Sequence, residues 1–231
     1  MNQFLFGTLP YIALTILILG SVVRYERDPA TWKTSSSQLL RRKQLMWGSV
    51  LFHVGVLVVF FGHLFGLLLP VEFYDALGVK HEWKQAAAAI GGGLAGAMAL
   101  VGALLLITRR LLDPRIAASS SFADTGIIIV LALQLVLGLA TVPLSLANMD
   151  GHEMVKLMNW ANGIITFDGA AASYIKDIPL IFKLHIVLGL IIFMLFPFTR
   201  LVHLLSGLAA PFRYLLRPGF QLVRSRKGKK V

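Results

Sequence analysis

The chain has 231 residues, of which 57% are hydrophobic and only 14% charged, yet its formal net charge is +11. A water-soluble domain of that composition would expose too much apolar surface, so the bilayer is the expected solvent and an ordinary globular fold is excluded. Cysteine is absent, which excludes disulfides, thioether-linked haem and iron–sulfur ligation by this chain.

Five apolar spans, each near the ~20 residues needed to cross a bilayer, predict an all-α integral membrane protein forming one membrane domain over 1–231. The first covers about Leu5–Val23. No basic residue precedes it and no small-residue cleavage site follows, so it reads as a retained helix rather than a signal peptide. Leu45–Leu69 is the second span, Ala86–Thr108 the third, Thr125–Leu146 the fourth and Pro179–His203 the fifth. Pro70 and Pro179 stand at span boundaries, where a missing N–H is tolerated. The connection Ala147–Ile178 is long and includes amphipathic stretches such as Met154–Trp160. It reads as a lid over the outer end. A basic cytoplasmic tail is expected over 204–231.

Charge placement orients the bundle. Six Lys/Arg lie in Arg24–Lys43, three in Arg109–Arg115 and eight from Arg200 to the end, which is 17 of 22. The positive-inside rule then sets the N-terminus outside and the C-terminus in the cytoplasm. A cytoplasmic face this basic suits anionic lipid headgroups or an acidic protein partner. The tail Arg224–Lys230 lacks interleaved aromatics and follows a membrane helix, so it is not read as a nucleic-acid site.

Four of the six histidines fall in two spans, His53 and His63 in the second, His185 and His203 in the fifth. An ionisable group in lipid is expensive and marks function by default. Imidazole is a common iron ligand, and bis-histidine ligation of two haems would use all four. The two spans run antiparallel, so matching depths pair His53 with His203 near the cytoplasm and His63 with His185 near the outer face. Zinc or copper would want further Cys, Asp or Glu ligands, which both spans lack. A proton-relay transporter would want mid-membrane carboxylates, also missing. A single histidine often does no more than bond a neighbouring helix, but two depth-matched pairs argue for more. His81 and His152 read as solvated loop residues.

The spacing poses a geometric problem. Ten residues separate His53 from His63, ~15 Å of helix, whereas eighteen, ~27 Å, separate His185 from His203. Tilt alone would have to exceed about 50°, beyond the usual range. The ligand axes are therefore expected to splay, with a kink at Pro197. Gly55, Gly62 and Gly66 stand near the second-span histidines and leave room for a flat macrocycle or a quinone. Gly48 and the Gly92-xxx-Gly96 pattern read as helix packing.

His53-Val-Gly55, Phe60-Phe-Gly62-His63-Leu-Phe-Gly66 and Pro70 resemble the second helix of the respiratory nitrate reductase gamma subunit family. Lys183-Leu-His185-Ile-Val-Leu-Gly189, and Leu195-Phe-Pro197-Phe-Thr-Arg200-Leu-Val-His203, are similar to its last helix. Met149-Asp-Gly151 to Thr166-Phe167 and Gln221-Leu-Val-Arg224 also match, so the resemblance covers nearly the whole chain. It implies a five-helix cytochrome b of the bacterial inner membrane, holding two haem b. His53 and His203 would hold the proximal haem; His63 and His185 would hold the distal one. It implies partnership with an iron–sulfur beta subunit and a molybdenum-containing alpha subunit, and oxidation of menaquinol or ubiquinol at the outer face. The family's quinol-site lysine matches Lys84, with Gly62 and Gly66 lining the same pocket. The Ala86–Ala89 run beside Lys84 departs from the family pattern.

An ammonium at Lys84 can hydrogen-bond a quinone oxygen and stabilise developing negative charge. The plainer alternative is an interfacial lysine snorkelling to the headgroups. Lys183 is a second candidate donor, or else a propionate partner. Arg109, Arg110 and Arg200 are candidate partners for haem propionates, or else headgroup anchors. Rival classes are the cytochrome b of a hydrogenase or formate dehydrogenase type of complex, a haem-free structural anchor, and a transporter.

Overall fold

The computed structural model describes residues 1–27, 40–118 and 120–205. The tail expectation for 206–231, and the Gln221–Arg224 match, lie outside these residues. Among the described residues the fold is wholly helical, and five helices are long and apolar enough to cross a membrane.

A π-helical turn, Phe4–Thr8, leads into α1 (Leu9–Arg27). Next comes α2 (Arg42–Leu68), continuous through both of its histidines. The short α3 (Val71–Ala76) connects it to α4 (His81–Leu112). That helix begins before the expected third span, so His81 is its first residue and Lys84 lies in its first turn. A five-residue α5 (Pro114–Ala118) precedes α6 (Phe122–Ala147), whose Ser121 cap accepts the Asp124 amide at 3.1 Å. The long connection folds into α7 (His152–Ile165) and α8 (Ala171–Tyr174).

The fifth span departs from one kinked helix. α9 runs Leu180–Leu195 and stops; 3₁₀ turns follow at Phe196–Phe198 and Arg200–Val202 around an extended Thr199 (φ −122°, ψ −179°). Pro197 cannot supply the amide that would continue the α ladder. His203 therefore does not share a straight helix with His185, and the ~27 Å advance expected of one does not apply.

The spans form an arc in the order α2, α4, α6, α9, α1, each packed on the next. Small residues set the closest contact, since a Cβ on Gly55 would lie 2.6 Å from the Ala95 carbonyl oxygen and 2.8 Å from the Ala99 Cβ. Gly55 thus belongs to the α2–α4 seam, not to a cofactor pocket as its place beside His53 had indicated. Gly48 packs as expected, with its notional Cβ 3.1 Å from Leu106. In α4 the face towards α6 uses Gly93 and Gly96, while Gly92 meets nothing within 4 Å; the Gly92-xxx-Gly96 reading is corrected by one position. Across the mouth of the arc, α2 and α9 make at most isolated backbone approaches among the described residues. That opening holds the histidines.

Candidate functional site

His53 faces His203 with ring centres 6.1 Å apart and planes 74° to one another. His63 faces His185 at the same 6.1 Å, tilted 39°. Two imidazoles bound through nitrogen to opposite sides of one metal atom, at about 2 Å per bond, have ring centres about 6 Å apart. Both pairs sit between α2 and span five, His185 on α9 and His203 beyond the break that follows it. The donor set and spacing fit two bis-histidine haems.

Tautomers support that fit in three of the four rings. His53 Nδ1 lies 2.7 Å from the Ser49 carbonyl, His63 Nδ1 2.8 Å from Val59, and His203 Nδ1 2.6 Å from Arg200. A carbonyl only accepts, so each Nδ1 carries the hydrogen and Nε2 bears the lone pair a metal needs. His185 differs. Its Nδ1 is buried without a hydrogen bond, as is Gln134 Oε1 of α6, while Gln134 Nε2 donates to the His185 carbonyl at 3.0 Å. Gly138 gives the ring its room, for a Cβ there would lie 2.9 Å from His185 Cε1.

Beyond His63, α2 ends and leaves carbonyls without amide partners. Three consecutive ones are taken by side chains from three other elements. Phe65 O accepts from the Tyr74 hydroxyl of α3 at 2.6 Å, Gly66 O from Lys84 Nζ of α4 at 3.0 Å, and Leu67 O from Asn162 Nδ2 of α7 at 3.0 Å. Lys84 Nζ also lies 2.8 Å from Met158 Sδ and 3.5 Å from the Tyr74 ring centre. Burial pushes the Tyr74 phenol up, so it remains a protonated donor. Gly62 and Gly66 meet nothing within 4 Å of a notional Cβ, so the wall beside Lys84 is open. α7 packs on α2 and α3 at this end, and Trp160 Nε1 ties it to the Phe6 carbonyl at 2.8 Å.

At the opposite, basic end the arginines have protein partners. Arg109 is buried and donates to Leu40 O at 2.7 Å. Arg200 grips Asp124 at 2.6 and 2.7 Å. Arg110 Nη1 reaches the same carboxylate at 3.9 Å and is buried without a hydrogen bond. Lys183 donates to Lys176 O, away from Lys84. Neither remaining histidine lies in a loop: His81 opens α4 with Nε2 2.8 Å from Asp75 Oδ1, and His152 opens α7, exposed beside Asp150. Tyr74, Asn162, Met158, Gln134 and Asp124 escaped the sequence reading. Only Gln134, a lone amide in the middle of an apolar span, carried a signal.

Five helices long and apolar enough to cross a membrane, with two imidazole pairs facing one another across the opening, define a membrane-spanning helical bundle. A family model described as nitrate reductase gamma subunit matches residues 2–226, and the chain belongs to that family. It is 44% identical over 226 residues to the respiratory nitrate reductase 1 gamma chain of Escherichia coli (strain K12), covering 98% of each. It is likewise 44% identical over 227 residues to that strain's respiratory nitrate reductase 2 gamma chain, again covering 98% of each. Identity to the nitrate reductase gamma chain of Bacillus subtilis (strain 168) is 41% over 218 residues, 94% of this chain and 95% of the relative.

Proposed function

We propose that this chain is the dihaem cytochrome b subunit of a membrane-bound respiratory nitrate reductase. It oxidises quinol near the outer face and delivers electrons to cytoplasmic iron–sulfur and molybdenum subunits. The observation that carries the reading is the double 6.1 Å imidazole pairing across an otherwise unpacked cleft, in a member of the gamma subunit family. His63 and His185 would hold the haem nearer the quinol end; His53 and His203 would hold the one nearer the partner subunits. When bound, the two haems supply one-electron carriers in series across the bilayer. The orientation, basic end in the cytoplasm of a bacterial inner membrane, belongs to the proposal and rests on the positive-inside rule.

The chain's own residues account for quinol handling. Lys84 exchanges its Gly66 carbonyl for an oxygen of the quinol, which enters along the open wall at Gly62 and Gly66. The Tyr74 ring and Met158 keep the ammonium at that mouth, and α7 limits access of water. Oxidation releases two electrons and two protons, the protons leaving on the outer side. Electrons moving inward work against the membrane field by ~2.3 kcal/mol each per 100 mV for a full crossing, so the redox drop must exceed this and is conserved as potential. Arg110, whose buried Nη1 makes no hydrogen bond, is a candidate partner for a haem propionate. Arg109 and Arg200 would share that role only alongside the contacts they already make.

Reduced-minus-oxidised spectra with pyridine haemochrome quantitation test the reading. Two b haems per wild-type chain are expected. His63→Ala and His185→Ala should lose one spectral component, and His53→Ala and His203→Ala the other. Folded wild type without haem would leave a structural anchor as the better account.

A further inference from the structure

We propose that Arg24 is a positioning residue for His203: it takes the carbonyls freed where span five breaks and thereby holds that imidazole opposite His53. The inference rests on the haem reading above.

Antiparallel spans whose histidines differ in spacing by ~12 Å of helix come level most directly when one span leaves the helical path. Span five does so between Leu195 and His203. A break at membrane depth must find partners for the backbone groups it releases. Leu201 N–H goes to Thr199 Oγ1 instead of Pro197 O, and His203 N–H goes back to Arg200 O instead of Thr199 O. The carbonyls of 197 and 199 thus lose their usual helical donors. Arg24, in the last turn of α1, donates from Nη1 to both, at 2.7 and 2.8 Å. A permanently charged guanidinium suits this task, since carbonyls at a helix C-terminus present the negative end of the dipole.

The approach of the two elements is built for it. Gly20, one turn before Arg24, faces the fully buried Pro197, and a Cβ there would lie 2.8 Å from Pro197 Cγ. On its other side the segment is tied to α6 through Arg200 and Asp124. His203 Nδ1 then bonds back to the Arg200 carbonyl within the same turn. The route from Arg24 to the imidazole runs through the backbone of 197–200: Arg24 donates to the carbonyls of 197 and 199, and His203 Nδ1 bonds the Arg200 carbonyl.

The test uses the full chain in its native complex, in membranes, with Arg24→Gln, Arg24→Lys and Gly20→Val. Low-temperature optical and EPR spectra and haem-to-protein ratios are the readouts. Arg24→Gln is expected to lose or shift the signal assigned to the His53–His203 pair while leaving the His63–His185 signal intact. Arg24→Lys, which can serve at least one carbonyl, should recover part of it. Gly20→Val should reproduce the Arg24→Gln spectrum by wedging α1 from the break. Wild-type signals from both haems in Arg24→Gln would overturn the proposal, as would equal loss of both, which would mark a general folding role. Wild type lacking haem altogether would remove the functional reading as well, a result distinguishable from any effect of the variants.

Discussion

Lys84 makes contacts with three other elements, and each has a different chemical nature: a carbonyl at 3.0 Å, a thioether at 2.8 Å and an aromatic face at 3.5 Å. None neutralises the ammonium with a formal negative charge, so it retains attraction for an oxygen that becomes negative during oxidation. Lys84→Met should therefore leave both haems reducible by dithionite while slowing their reduction by a quinol analogue by roughly 100-fold, measured by stopped-flow absorbance. Tyr74→Phe separates the two functions of that residue. It keeps a ring beneath the ammonium but removes the hydroxyl bond to Phe65 O. Stability should fall by about 1 kcal/mol, read in thermal unfolding of the purified complex, with quinol oxidation close to wild type.

At the scale of elements, glycines of one helix serve opposite purposes. Gly55 lets α2 and α4 touch backbone to backbone, whereas Gly62, two turns on, meets nothing within 4 Å. Gly55→Leu should overpack the seam and lower stability by about 1–3 kcal/mol. Gly62→Leu should change it by less than about 0.5 kcal/mol but narrow the proposed quinol entry, raising the KM for quinol. Paired melting curves and quinol titrations separate the two outcomes. The sequence shows both glycines beside a histidine and does not distinguish them, because burial on α4 depends on helix rotation and not on spacing from His53. The end of α9 has a similar history. Pro197 marks a disturbance in the sequence, but whether a span bends or stops depends on what receives the freed carbonyls, here Arg24 from a distant span.

For the whole molecule, the arc leaves α2 and α9 apart, with the paired imidazoles facing one another across the opening between them. At one end the described basic residues Arg24, Arg27, Arg41, Arg42, Lys43, Arg109, Arg110, Arg115 and Arg200 outnumber the carboxylates Glu26, Asp113 and Asp124. That imbalance predicts a cytoplasmic location for this end. Fusions reporting cytoplasmic or periplasmic exposure should place the segment after Arg27 inside and α7 outside; the opposite pattern would reverse the proposed direction of electron flow.

Span count and the depth-matched pairing of the histidines are legible in the sequence because hydropathy and antiparallel connectivity operate along the chain. So is the candidacy of Lys84, through its family resemblance. The tertiary structure decided the rest. Tyr74, Lys84 and Asn162 meet at three successive carbonyls only once α3, α4 and α7 gather at the end of α2. The unequal histidine spacing is resolved by breaking a helix whose carbonyls are satisfied from α1. In both places the deciding force is the same: a carbonyl released where a helix ends must find a donor, and folding determines which residue supplies it.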